Sequence, residues 1–163
     1  MSVAIATLAA CDRMEAAGDQ KRVLLGLAAA LRARCDELRG EFDIAVDLDI
    51  APDLGDIPED VTLCLYRVAQ EALNVCRHSH ARHARLSLVR KQGRLALAIT
   101  DDGRGFEWGR AGARRGIGLI SLDERVRMLG GRFAVESAPG CGTTISVTVP
   151  TGDADAAASA ACG

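Results

Sequence analysis

Four short stretches of the chain carry residue types that could do chemistry. The first is Asp101-Asp102-Gly103-Arg104-Gly105-Phe106, directly after the run 95–100. A carboxylate at a strand end can accept a hydrogen bond from an exocyclic amine such as that of adenine. Glycines just beyond it let a flat ring approach the backbone. Taken alone, Asp-Gly also suits a plain turn. The second stretch is Arg114-Arg115-Gly116-Ile117-Gly118-Leu119, which leads into a helical run. Glycines ahead of a helix N-terminus expose backbone N–H groups to an anion, and phosphate is the usual one. The glycine–lysine–serine/threonine ending of a P-loop is absent. No strand immediately precedes the stretch, which excludes a dinucleotide fingerprint.

The third stretch is a polar face of Gln70, Glu71, Asn74, Arg77 and His78 within a helical run. Spacings of three and four bring Glu71, Asn74 and His78 to one side of a helix. An amide oxygen suits a hard cation such as Mg²⁺, and arginine suits phosphates beside it. A neighbouring carboxylate could polarise a nucleophile. The same residues also describe an ordinary solvated helix face. The fourth stretch is Gly140-Cys141-Gly142-Thr143-Thr144 ahead of a β-run. A threonine hydroxyl entering a strand can reach a buried carboxylate or a water beside it.

These groups need elements to position them. Residues 20–40 place Leu24, Leu27, Leu31, Cys35 and Leu38 on one helical stripe, with Gly40 as the stop. Residues 42–50 alternate, with Phe42, Ile44, Val46, Leu48 and Ile50 on one face of a half-buried strand. Pro58-Glu59-Asp60 starts a second helix, running to about His78, with proline in the first turn and acids at the positive dipole end. Residues 84–91 and 94–101 read as a hairpin through Gln92-Gly93. Residues 102–118 read as a long mobile loop, and 119–129 as a third helix ending at Gly130-Gly131. Residues 132–137 and 143–149 are two more strands. Strands arriving in adjacent pairs predict an α/β two-layer sandwich, with a mixed or antiparallel sheet and helices on one face.

The 163 residues suffice for one compact domain, and 48% apolar composition supplies its core. Aromatics make up 3%, so that core is aliphatic. A net charge of −2 excludes a strongly basic nucleic-acid binder. The cysteines at 11, 35, 64, 76, 141 and 162 form neither a CxxC pair nor a zinc spacing, which reads as a reducing, cytoplasmic setting. Cys64 and Cys76 fall in helical stretches where a thiol acts as a small hydrophobe. Leu8-Ala9-Ala10-Cys11 looks like a lipoprotein cleavage box. The segment before it has no Lys or Arg and is short for a signal peptide, so a frayed helix or leader is the reading for 1–19. No run approaches the ~18 apolar residues of a membrane span, so no membrane contact is expected of this chain itself. The tail 151–163 is predicted to be disordered.

The ordered set of motifs resembles a known family. LYRVAQEALNVCRHSHA, TDDGRGF, RRGIGLISLDERVRMLGG and SAPGCGTTISVTVP together look like the ATP-binding domain of bacterial sensor histidine kinases. Within that family they are closest to the nitrate/nitrite-sensor-like subfamily paired with LuxR-type response regulators. The superfamily is that of gyrase, Hsp90 and MutL, with the Bergerat ATP-binding fold. The resemblance covers about residues 24–150, within a domain taken as 20–150.

The resemblance implies ATP and Mg²⁺ as cofactors and transfer of the γ-phosphoryl group to a histidine. Asp101 matches the aspartate that reads the adenine amino group, with Gly103 and Gly105 beneath the ring. Gly116, Ile117, Gly118 and Leu119 match the second glycine box at the phosphate end of an ATP lid spanning 102–118. Thr143 matches the threonine near the adenine-reading aspartate. Asn74 would be the magnesium ligand, with Arg77 and His78 beside the phosphates. Two departures stand out. The family reads Glu four residues before the magnesium Asn, whereas here Glu71 is three before Asn74 and Gln70 is four before it. Keeping Asn74, Arg77 and His78 in place puts Gln70 at the glutamate position, which is the preferred matching, and Glu71 is the other candidate for the catalytic role. No histidine precedes His78, so the phosphoacceptor is expected on a histidine-containing dimerisation segment elsewhere or on another chain. The alternatives are an anti-sigma-like serine kinase module of the same superfamily and a non-catalytic ATP-binding partner module.

Overall fold

The computed structural model describes residues 26–108 and 117–152. The predicted helical residues 20–25, the leader 1–19, the middle of the expected lid and residues 153–163 of the expected disordered tail lie outside them. Eight elements follow in order: α1 (Leu27–Phe42), β1 (Ala45–Ile50), α2 (Glu59–His78), β2 (His83–Lys91), β3 (Arg94–Asp101), α3 (Ile117–Met128), β4 (Arg132–Ser137) and β5 (Thr143–Pro150). The sheet order is β1-β2-β3-β5-β4. β1 and β2 are parallel, and every other neighbouring pair is antiparallel. The sheet is therefore mixed, as expected.

Alternation decides which face is covered. Leu86, Leu88, Leu95, Leu97, Ile99, Ile145, Val147 and Val149 are all buried. Their strand neighbours Arg85, Lys91, Thr100, Arg132 and Glu136 are exposed. The helices sit on the apolar face, where Leu31, Cys35, Leu65, Tyr66, Leu73 and Val126 complete one aliphatic core. Removing this surface from water is the main driving force for the fold.

α2 lies at the centre of that layer. Pro58 at its N-cap has φ −55°, and its carbonyl accepts the Thr62 N–H at 2.9 Å. Glu59 and Asp60 occupy the first turn, and Arg77 and His78 the last, which suits the helix dipole at both ends. The β2–β3 hairpin turns through Gln92 and Gly93 at φ 53° and 69°. Two successive positive φ values match the right-handed twist of the flanking strands.

Three sequence expectations need correction. Gly40 does not stop α1, which continues to Phe42 and ends at Asp43 in the left-handed conformation, φ 53°. Phe42 is consequently not the first inward residue of β1: it is helical and 42% exposed, while Ile44 and Val46 are buried. Thr151, assigned to the disordered tail, is buried, and both its N–H and its hydroxyl donate to the Gly93 carbonyl, at 2.9 and 2.8 Å.

Cys35, Cys64 and Cys76 are buried, and Cys141 is exposed. Burial pushes the Cys35 thiol up to about 11, and it raises Cys64 and Cys76 as well. Since the thiolate is the nucleophile, these three stay unreactive at neutral pH. An alkylating reagent at pH 8 should therefore modify Cys141 before Cys35, Cys64 and Cys76, as read by peptide mass mapping. Labelling of Cys35 or Cys64 at the Cys141 rate in folded protein would contradict the packing.

Candidate functional site

β3 ends on Asp101, whose register partner on β5 is Thr143. Both side chains point toward the helices, and both are buried, at 6% and 3% exposure. The Asp101 Oδ1 atom accepts the Gly103 N–H at 2.8 Å and faces the Ser79 hydroxyl at 3.5 Å. Cys76, one turn earlier on α2, lies behind the carboxylate. Burial first, and then the Asp101 charge and a hydrogen bond to it, raise the Cys76 thiol. The Thr143 hydroxyl meets the Ser137 hydroxyl at 2.9 Å. Ser137 Oγ also accepts the Phe106 N–H at 2.9 Å and donates to the Gly142 carbonyl at 3.1 Å. Thr143 thus stands beside Asp101 and is held by Ser137.

The segment after Asp101 is more fixed than a long mobile loop implies. The Arg104 N–H donates to the Ser79 carbonyl at 2.9 Å, and the Arg104 carbonyl accepts the Gly140 N–H at 2.6 Å. Asp102 anchors the root, with Oδ1 accepting the Arg82 and His83 N–H groups at 2.8 and 2.9 Å. Those bonds hold the Asp102 carboxyl below its usual value. Gly105 has φ +64°, and a Cβ there would overlap the Ala138 carbonyl oxygen. Phe106 and Trp108 meet edge to face at 6.0 Å. Residues 109–116, including Gly116, lie outside the described residues.

α2 runs from Glu59 to His78 without interruption, so the short Glu71–Asn74 spacing is carried directly into space. Glu71 and Asn74 are half-buried on adjacent turns. Gln70 is 6% exposed, and its carboxamide oxygen accepts the Arg67 guanidinium at 3.1 Å. Gly118 is the second residue of α3 rather than a residue ahead of it. A Cβ at Gly118 would lie 2.9 Å from Glu71 Oε2, so the carboxylate packs against the start of α3. The structure therefore brings Glu71, and not Gln70, to the second glycine box. Arg77 is exposed, with its guanidinium 4.9 Å from the centroid of the Phe42 ring. His78 is exposed, and the Leu119 side chain belongs to the core.

α2 thus borders both glycine-rich stretches. Ser79 and Cys76 touch Asp101 at its C-terminal end, and Glu71 meets Gly118 two turns earlier. Sequence reasoning missed Ser79, Ser137 and Cys76. No periodic or glycine signal marks them, and their roles come from contacts across long stretches of chain. A groove of about 730 Å³ lined by Leu27, Leu54 and Ile57 lies by β1's C-terminal end, at the opposite end of the sheet from Asp101. Among the described residues, no group of three or more His, Cys, Asp or Glu side chains could hold a metal by itself. No helix there is long and apolar enough to cross a membrane.

Residues 60–153 match the family described as histidine kinase-, DNA gyrase B-, and HSP90-like ATPase. The chain belongs to this family. The match runs from the first turn of α2 through β5, so it contains all four chemistry-bearing stretches and leaves out α1 and β1. Among curated relatives of this ATPase domain, the sensor histidine kinase LiaS of Bacillus subtilis is 38% identical over 126 residues, covering 77% of this chain and 34% of the relative. The sensor histidine kinase MctS of Rhizobium johnstonii is 33% identical over 129 residues, covering 77% of this chain and 28% of its own. The chain thus spans about a third or less of these relatives. The histidine kinase domain of the blue-light activated kinase from Erythrobacter litoralis superposes with a TM-score of 0.63 at 22% identity, over 80% of this chain and 63% of that one. That likeness establishes the same fold. The domain is a histidine-kinase-type ATPase domain.

Proposed function

We propose that this ATPase domain is the catalytic part of a two-component sensor kinase, and that Asp101 reads the adenine of ATP. The observation that carries the reading is the buried Asp101 carboxylate at the end of β3, held by the Gly103 N–H at 2.8 Å beneath the last turn of α2. A carboxylate oxygen there accepts the exocyclic amine of the base, and Gly103 and Gly105 leave room for the ring.

The phosphates then run toward Glu71, Asn74 and the start of α3, with Ile117, Gly118 and Leu119 supplying the backbone at that end. Magnesium fits this donor set. One amide oxygen and one nearby carboxylate suit a hard cation that takes its remaining ligands from phosphates and water. Asn74 would hold it, and the ion would neutralise phosphate charge as the terminal group leaves. Arg77 and His78 border the phosphates, and Arg77 reaches them by leaving the Phe42 ring. The bond from the γ-phosphorus to the β–γ bridging oxygen breaks, a bond to an imidazole nitrogen forms, and ADP departs. The imidazole proton passes to Glu71, which can take it, whereas the Gln70 carboxamide can only orient.

The acceptor histidine lies on a dimerisation segment supplied from elsewhere in a longer protein or on another chain. A response regulator of the LuxR type is the partner downstream. The nitrate/nitrite-sensor-like assignment is supported by likeness to the oxygen sensor histidine kinase NreB of Staphylococcus carnosus, 27% identical over 130 residues. The domain would act in the cytoplasm, as part of a membrane-anchored kinase or alone.

One observation favours a second reading. The shortened Glu71–Asn74 spacing in an unbroken helix suits a module that binds ATP without transferring phosphate. Calorimetric titration with a non-hydrolysable ATP analogue, with and without Mg²⁺, separates the readings. Wild type should bind more tightly with Mg²⁺, and Asn74→Ala should lose that gain, on the order of tenfold, while keeping its metal-free affinity. Binding by wild type that ignores Mg²⁺ would favour the non-catalytic module. Absence of binding in folded protein would sink both.

A further inference from the structure

Ser79 closes α2, with φ −84° and ψ 4°, and its N–H donates to the Val75 carbonyl. Four further contacts converge on it. Its hydroxyl faces Asp101 Oδ1 at 3.5 Å and the Cys76 carbonyl at 3.1 Å. Its carbonyl accepts the Arg104 N–H at 2.9 Å. Its side chain fills the space a Cβ at Gly103 would need. The residue thus touches the carboxylate and the Gly103 and Arg104 backbone of the first glycine box.

From this convergence we infer that Ser79 is a positioning residue for base recognition, holding Asp101 so that its carboxylate accepts the exocyclic amine of the bound purine. The inference rests on the reading of Asp101 as the base-reading group. A serine hydroxyl carries one proton and two lone pairs. It can donate to the Cys76 carbonyl or turn to the carboxylate, and the two acceptors lie within 0.4 Å of each other in distance (3.5 and 3.1 Å). When the hydroxyl donates to Oδ1 together with the Gly103 N–H, that oxygen is held from two sides. The carboxylate then presents one orientation to the base instead of rotating about its terminal bond, which is otherwise a soft torsion. The Cys76 thiol, buried against the same carboxylate, restricts it from a third side.

A positioning role predicts a loss of discrimination, not merely of affinity. The test is titration of the whole chain with ATP and with inosine triphosphate, which lacks the exocyclic amine, on wild type, Ser79→Ala, Ser79→Thr and Asp101→Asn. Wild type should prefer ATP. Ser79→Ala should weaken ATP by roughly 3–10-fold, the scale of one ordinary net hydrogen bond, because Ser79 acts through Asp101 and does not touch the base. It should leave inosine triphosphate nearly unchanged, so the preference falls. Ser79→Thr, which keeps the hydroxyl, should restore it. Thermal melting verifies that each variant is folded. Equal losses for both nucleotides in Ser79→Ala would make Ser79 merely structural and overturn the inference. No change for either nucleotide would overturn it too. If Asp101→Asn abolishes the preference while Ser79→Ala preserves it, only the role of Ser79 falls. If Asp101→Asn also keeps the preference, the reading of Asp101 falls with it.

Discussion

Asp101→Asn should weaken binding of a non-hydrolysable ATP analogue by about 100-fold, the upper range for losing a hydrogen bond to a buried charged group. The substitution is nearly isosteric. Its carboxamide oxygen can still accept the Gly103 N–H, now made at 2.8 Å, so the turn after β3 survives. The other position becomes an NH₂ group, and a donor then faces the donor amine of adenine. Asp101 is 6% exposed, so water does little to rescue that clash. Calorimetry measures the affinity, and thermal melting separates a binding defect from unfolding. An unchanged affinity in folded Asp101→Asn protein would remove the central residue of the proposed site. The sugar and phosphates would then be bound without base readout.

Gly142→Ala should cost the domain about 3 kcal/mol and lower its melting temperature by roughly 10 °C or more. Gly142 has φ +71°, and a Cβ there would overlap the Asp101 carbonyl oxygen and lie 3.3 Å from the Asp102 Cα. Left-handed backbone alone costs a non-glycine residue about 1–2 kcal/mol. The rest comes from displacing the end of β3. Gly140→Ala is the control, since Gly140 has φ +79° with nothing within 4 Å of its added Cβ. It should show the backbone cost alone. Gly142→Ala should also lose ATP affinity, because the displaced strand end carries Asp101, whereas Gly140→Ala should retain it. Equal melting shifts for the two variants would mean that the close approach at Gly142 carries no energy.

The two positions illustrate how site and scaffold share residues. Gly142 lies in the turn between β4 and β5, yet its lack of a side chain lets that turn pass against the strand that ends in Asp101. Ser137 joins the same region from β4, holding Thr143, Gly142 and Phe106 through a single hydroxyl. Substitutions here act on binding through backbone position as much as through lost contacts.

Local chemistry was legible in the sequence where one element's own pattern decides its form. Pro58 and the acids after it mark the start of α2, and Gln92-Gly93 marks the hairpin turn. Alternation picks Ile44 and Val46 for the covered face. Asp101 with its two glycines was legible as a candidate because residue type and position at a strand end already imply the chemistry. Phe42 misled, since it continues the apolar alternation of the strand after it. Helix packing, with Arg77 over its ring, places it in α1 instead.

What the sequence alone determined, then, is the set of elements, the two-layer α/β architecture and the residue types available for nucleotide chemistry. Tertiary structure decided which of them meet. It put Glu71 rather than Gln70 against Gly118, because an unbroken helix turns about 100° per residue and a one-residue difference selects another face. It brought Ser79 and Cys76 to Asp101 across more than twenty residues of chain, and Ser137 to Phe106 across thirty-one. A lone hydroxyl or thiol has no periodicity to announce it. Its role exists only once sheet register and helix packing have placed a partner within hydrogen-bond reach.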